Sequence, residues 1–168
     1  MSKIYNATIL DIPQIQKIAE TTWPIAFANI LSESQLEYMI KMMYNTDVLT
    51  SQIKGEEIIY WLAASEKVVQ GFMAFEPQHP TQSQVKIHKL YILPTAQGKG
   101  IGRKLIKKLV SFGHANQFEN ITLNVNKNNH PATNFYKRQG FKKIKEEVIP
   151  IGEGYVMDDY VLSKKLQV

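Results

Sequence analysis

Leu90-Tyr91-Ile92-Leu93-Pro94-Thr95-Ala96-Gln97-Gly98-Lys99-Gly100-Ile101-Gly102 is the stretch on which the fold turns. The run 85–93, rich in β-branched and aliphatic residues, reads as a strand that stops at Pro94. From Gly100 the period changes to that of a helix, with Ile101, Leu105, Leu109 and Phe112 on one side and Lys104, Lys107, Lys108 and Ser111 on the other. Three glycines at alternate positions thus join a strand to a helix N-terminus, where backbone N–H groups lack acceptors and carry partial positive charge. With no side chain at Gly98, Gly100 and Gly102, an anionic oxygen can approach those groups closely. A tight turn with no ligand would use the same glycines. A Walker A loop is excluded because Arg103-Lys104 follows Gly102, and a dinucleotide fingerprint because Arg103 stands where its third glycine belongs. Nor does an acidic residue end the next strand to hold a ribose.

Working outward, residues 4–10 read as a first strand, with Asp11 as a helix cap and Pro13 in the opening turn. Ile15, Ile18, Ala19 and Thr22 mark one helix face leading to Trp23-Pro24. Ser32 or Ser34 caps a second helix through Leu36, Met39, Ile40 and Met43. Stretches 58–64 and 68–75 are strands joined at Ser65-Glu66-Lys67. Beyond the glycine loop come a strand at 121–125, a helix at 131–139 capped by Asn129 or His130 with Gly140 after its end, and strands at 141–149 and 155–166. The order β-α-α-β-β-β-α-β-α-β-β predicts one α+β (mixed α/β) domain over residues 1–168.

Two motifs carry a resemblance. Gln97-Gly98-Lys99-Gly100-Ile101-Gly102 matches [R/Q]-x-x-G-x-[G/A] of the GNAT N-acetyltransferase superfamily, and Asn129-His130-Pro131-Ala132-Thr133-Asn134-Phe135-Tyr136 resembles its N-x-x-A-x-x-F-Y, closed by Arg138-Gln139-Gly140-Phe141. The resemblance implies a twisted, mostly antiparallel central sheet with one splayed strand pair, flanked by helices. It implies a cofactor-binding core over 85–141 and an acceptor side from 11–45 and 142–166. Acetyl-CoA is then the co-substrate, with no metal. Leu90, Tyr91 and Ile92 would meet its pantetheine arm as an added strand. Gln97, Gly98, Lys99, Gly100, Ile101, Gly102 and Arg103 would cradle the pyrophosphate, and the Asn129 amide would touch the cofactor.

The same resemblance casts Tyr136, otherwise a simple core residue, as the general acid that protonates the departing thiolate. Many relatives carry a glutamate base where this chain has Lys86-Ile87-His88-Lys89; His88 is a packed or solvated histidine or the base, and otherwise a water relay serves or the amine arrives partly deprotonated. The acceptor is expected to be a primary amine. Gly154-Tyr155-Val156-Met157-Asp158-Asp159-Tyr160 is similar to the last strand of polyamine-type members, which points to a diamine or polyamine touching Trp23, Tyr155, Asp158 and Asp159. Adjacent strand residues face opposite ways, so at most one of the two aspartates belongs to the cleft.

Composition narrows the classes further. With 168 residues and no cysteine, the chain can build a core but no disulfide, thiolate metal site or cysteine nucleophile, which suits the cytoplasm. Its net charge of +5 is uneven: −2 over 1–98, +10 over 99–145 and −3 over 146–168. A basic block that begins in a glycine loop suits a polyanionic ligand, and an acidic tail suits a cationic amine. A nucleic-acid partner would want aromatics interleaved with those bases, whereas Phe112, Phe118 and Phe135 look like core. No apolar run reaches membrane-spanning length. The partners expected are therefore a small-molecule amine, neither nucleic acid nor membrane, with a homodimer open to the chain. A non-catalytic acyl-CoA-sensing module would keep the glycine loop but have no use for Tyr136. A protein or peptide amine is the other acceptor class.

Overall fold

A computed structural model describes residues 2–166. Strand β1 (Lys3–Asn6) is followed by α1 (Ile12–Ala26), α2 (Glu33–Tyr44), α3 (Thr46–Gly55), β2 (Ile59–Ser65), β3 (Val68–Pro77), β4 (Gln84–Ile92), α4 (Ile101–Ala115), β5 (Asn120–Asn126), α5 (His130–Arg138), β6 (Lys142–Gly152) and β7 (Tyr155–Lys165). These strands form one sheet in the order β1-β2-β3-β4-β5-β7-β6. β4 and β5 run parallel, and β1–β2, β2–β3, β5–β7 and β7–β6 run antiparallel. The parallel register runs from Gln84/Asn120 to Ile87/Leu123, while β4 itself continues through His88–Ile92. The ladder thus stops short of the end of β4.

The chain divides into two compact units, one holding the residues up to Glu76 with His88–Lys107, the other Pro77–Ile87 with the residues from Lys108. In the first, β2 and β3 form a hairpin whose two-residue loop, Glu66 and Lys67, has both residues left-handed (φ 51° and 67°), the twist a tight hairpin requires. Ile15, Ile18, Ala19, Thr22 and Trp23 of α1 are buried as their spacing predicts, and Ser32 caps α2 by accepting from the Gln35 N–H. In the second unit, β6 and β7 close over Glu153 and Gly154 by the same left-handed device (φ 54° and 77°).

Three expectations need correction. The first strand ends at Asn6 rather than residue 10, because Thr8 starts a 3₁₀ turn at Ile9–Asp11. Asp11 does not cap α1 with its side chain. Its carboxylate accepts from the Thr8 N–H at 2.8 Å and completes a capping box around that turn. α3 was not foreseen. It buries only Leu49, so its apolar signal is faint. Asn45 separates α2 from α3 by serving both, donating to the Lys41 carbonyl and accepting from the Val48 N–H, each at 2.9 Å.

Candidate functional site

The glycine loop takes the form an anion cradle needs. Gly98 and Gly100 have φ of 78° and 79°, a region that side-chain-bearing residues avoid. A Cβ built on either would meet nothing within 4 Å, so backbone conformation and open approach, not crowding, call for glycine there. The Gly100 carbonyl accepts the first intrahelical bond of α4, from the Lys104 N–H at 3.0 Å. The N–H groups of Ile101, Gly102 and Arg103 therefore lie in the first turn, without intrahelical acceptors. Gln97, the loop's first motif residue, donates its amide to the Ile92 carbonyl at 3.3 Å and ties the loop to the end of β4. Lys99 and Arg103 are exposed on either side of the helix start, whereas Ile101 is buried and anchors it. These residues fit a pyrophosphate: donors at a helix N-terminus, flanking cations and no side chain in the way.

β4 presents two unlike faces beyond its ladder with β5. Leu90 and Ile92 are half-buried on the face they share with His88, whose Nε2 lies 2.7 Å from Glu76 Oε2 of β3, with both side chains about a quarter exposed (26% and 24%). The opposite face carries Lys89, only 6% exposed. Its ammonium donates to the Met43 carbonyl at 3.2 Å and the Tyr60 hydroxyl at 2.9 Å, and lies 4.4 Å from the Tyr44 ring centre. Burial pulls its pKa from 10.5 down to about 8. Met43 belongs to the last turn of α2, where carbonyls lack partners and the dipole is negative, so Lys89 caps that helix from the sheet. Tyr91 on this face packs against Trp23, rings 5.6 Å apart. Trp23 is 2% exposed among Phe27, Tyr44 and Tyr91, a core residue in this structure. The Trp23 indole nitrogen and Tyr44 hydroxyl are buried with no hydrogen bond of normal geometry. Burial pushes the Tyr44 phenol well up, and the neighbouring Trp23 indole N–H only partly opposes this.

In the second unit Asn129 caps α5, accepting from the Ala132 N–H at 3.3 Å. The helix ends in a Schellman motif: the Phe141 N–H reaches the Tyr136 carbonyl and the Gly140 N–H the Lys137 carbonyl, both at 3.0 Å, with Gly140 at φ 90°. Lys164 donates to the Gln139 carbonyl at 2.7 Å, adding a cation at that end. This cap sets Tyr136, 8% exposed, against Phe135 and Phe141 with ring centres 5.3 and 5.5 Å away. Burial raises its phenol well above the ordinary value, so it stays protonated and neutral.

The C-terminal aspartates split as strand alternation demands. Asp158 is exposed and ion-paired with Lys127 at 3.0 Å, a cation that also meets Glu146 at 3.1 Å. Asp159 is 3% exposed and accepts from Asn124 Nδ2 at 3.3 Å. That amide also donates to Glu147, which lies directly opposite Asp159 across β6 and β7, at 3.0 Å. Desolvation raises the Asp159 pKa, the Asn124 bond opposes this, and neighbouring Asp158 and Glu147 add to it. Tyr155 is half-buried at the start of β7. Glu76, Lys89 and Glu147 were missed from sequence. Only Lys89 left a trace, as a lysine in register with buried Val85 and Ile87.

The acetyltransferase (GNAT) family matches residues 13–141, and the chain belongs to it. Acetyl-CoA is the acyl donor of that family. Among similar solved structures is the PaiA N-acetyltransferase of Thermoplasma acidophilum in complex with coenzyme A, with a TM-score of 0.84 at 22% identity, covering 98% of this chain and 99% of that one. The spermidine N(1)-acetyltransferase of T. acidophilum is 23% identical over 144 residues, 83% of this chain and 88% of its own length. The peptidyl-lysine N-acetyltransferase YjaB of Escherichia coli is 34% identical over 97 residues, 56% of this chain and 58% of that protein. The chain spans about half (48%) of another relative, the probable N-acetyltransferase camello of Xenopus tropicalis. Among the described residues no helix is long and apolar enough to cross a membrane, and no three metal-ligating side chains come together.

Proposed function

We propose that this chain is a cytoplasmic N-acetyltransferase that moves the acetyl group of acetyl-CoA onto a primary amine by direct attack. The observation that carries the reading is the pair of left-handed glycines, Gly98 and Gly100, opening onto the first turn of α4. The loop N–H groups, with Lys99 and Arg103, hold the pyrophosphate. The edge of β4 from His88 to Ile92, beyond its ladder with β5, takes the pantetheine arm through backbone hydrogen bonds, and a β4 N–H steadies the oxyanion. Asn129 spends Oδ1 on its helix and has Nδ2 left for the cofactor.

Tyr136 is the acid in this reading. Its raised pKa makes it a permanent donor. Because the phenol holds its proton more tightly than a thiol does, its O–H first hydrogen-bonds the developing thiolate, and transfer completes as the new amide nitrogen sheds its proton. A bare acyl-CoA sensor would have no use for this group. The acceptor is a diamine or polyamine, a reading supported by the likeness to the spermidine acetyltransferase. Asp158 already holds Lys127 and Glu147 holds Lys145, so a distal ammonium belongs with Asp159 instead.

Calorimetry with coenzyme A and with the Gly100→Glu variant tests the cofactor half. Binding should be lost in a folded variant, and unchanged affinity would remove the loop from the account. Mass spectrometry of a small-amine panel incubated with acetyl-CoA tests the acceptor half. Spermidine no better than a simple monoamine would sink the polyamine reading and leave the acetyltransferase reading standing.

A further inference from the structure

We infer that Gly71 of β3 is a positioning residue for the acyl donor: its missing side chain fixes how far the pantetheine edge of β4 stands from the glycine cradle. The inference rests on the acetyltransferase reading above. Gly71 is buried inside a strand, where glycine weakens the element and packs no side chain. Unlike Gly98 and Gly100 it has no left-handed φ, so backbone conformation does not call for it. Close approach does. A Cβ there would stand 2.9 Å from the Tyr91 carbonyl oxygen, 3.3 Å from Ile92 Cα and 2.5 Å from Ile92 Cδ1. The Cδ1 atom ends a flexible side chain and can swing away. The Tyr91 carbonyl and Ile92 Cα are the strand itself, and they can yield only if β4 moves.

The same few residues tie β4 to the loop. The β2–β3 register slips between Ala63 and Ala64, which pair with Gly71 and Val69, so Gln70 is an extra residue on β3. Its carbonyl accepts the Leu93 N–H at 2.8 Å. Gln97 in turn donates its amide to the Ile92 carbonyl at 3.3 Å. Gln70 and Gly71 thus seat the end of β4, and the end of β4 holds the start of the cradle. Coenzyme A is a single molecule lying on both, with pantetheine along the edge from His88 to Ile92 and pyrophosphate at Gly98–Gly102. Its affinity therefore depends on the spacing between them. Alanine at position 71 would drive the Tyr91 carbonyl from 2.9 Å out to the 3.4 Å where ordinary contact begins. That shift of about half an ångström is the whole tolerance of a preorganised binding site.

Two ligands separate spacing from general damage: coenzyme A, which needs both half-sites, and ADP, which has the pyrophosphate and no pantetheine. Their affinities for the full chain are compared in wild type and Gly71→Ala, by calorimetry for the first and NMR titration of backbone amides for the second. Coenzyme A affinity should fall roughly tenfold, and ADP affinity should change by less than about twofold, because each half-site survives and only their separation alters. Unchanged coenzyme A affinity, or an equal loss for ADP, overturns the proposal. Adding Ile92→Val to Gly71→Ala removes the flexible contact and keeps the backbone one, which also serves if the single variant folds poorly. The split between the two ligands should persist there. Full recovery of coenzyme A affinity would place the effect in the Ile92 side chain and refute the role of strand spacing. If wild type binds no coenzyme A, the broader reading fails first, and the loop still decides this one. The amide resonances of Gly98–Gly102 should move in Gly71→Ala, and unmoved resonances would show that the notch does not reach the cradle.

Discussion

Lys89 offers a prediction whose size and sign both follow from its surroundings. Its ammonium is 6% exposed and compensated by a carbonyl, a hydroxyl and aromatic faces, with no carboxylate in contact among the described residues. The folded pKa of about 8 against 10.5 means that the fold disfavours the charged form. Below pH 8 both states are protonated and the full penalty, about 3 kcal/mol at 1.36 kcal/mol per unit, weighs on the fold. Between pH 8 and 10.5 the unfolded chain binds more protons than the folded one, so stability rises with pH. The rise expected from pH 7 to 10 is roughly 2 kcal/mol. The buried phenols set the upper limit. Tyr44, Tyr60 and Tyr136 all have raised pKa values, and each begins to cost stability above about pH 10, where unfolded tyrosine ionises. Urea unfolding at pH 7, 8, 9 and 10 should therefore show a climbing midpoint in wild type at constant m. In Lys89→Met that climb should be missing, because the variant keeps a similar stem and has nothing to titrate. Parallel curves for the two proteins would refute the reasoning and mean that the ammonium is solvated.

Three further predictions bear on other parts of the molecule. Tyr136→Phe keeps the ring against Phe135 and Phe141 and removes the donor; kcat should fall roughly 10²–10⁴ with acetyl-CoA affinity retained, and an equally active variant would return Tyr136 to the core. Asp159→Asn should raise KM for spermidine and spare a monoamine, because only the former brings a second charge to Asp159; equal effects on both would remove this carboxylate from the acceptor site. Gly140→Ala puts a Cβ at φ 90° and 2.7 Å from Lys164 Nζ, and thermal unfolding should show a loss of more than about 1 kcal/mol, whereas an unchanged midpoint would mean that the Schellman turn relaxes freely.

What the amino-acid order determined alone is what short-range chemistry encodes. The glycine loop is one such case, since alternate glycines between a strand and an amphipathic helix leave few backbone solutions, and Gly98 and Gly100 adopt the left-handed one. The cap-to-cap signature of α5 is another, with Asn129 and Gly140 acting within one or two turns of their own positions. Strand alternation likewise foretold that Asp158 and Asp159 would part company. Which of them would be buried was not legible, because it depends on Asn124 from β5 and Glu147 from β6 arriving around Asp159 while Lys127 takes Asp158. Glu76 and His88 are twelve residues apart with no motif between them, and they meet only because β3 and β4 turn back through the intervening loop. α3 escaped notice because its single buried residue, Leu49, makes no periodic signal, and its stability comes from what it packs against. Lys89 shows the same limit at one residue. Its strand phase was written in the sequence, but its depressed pKa exists only once the last turn of α2 and Tyr60 close over the ammonium, because desolvation belongs to the assembled environment and not to the side chain.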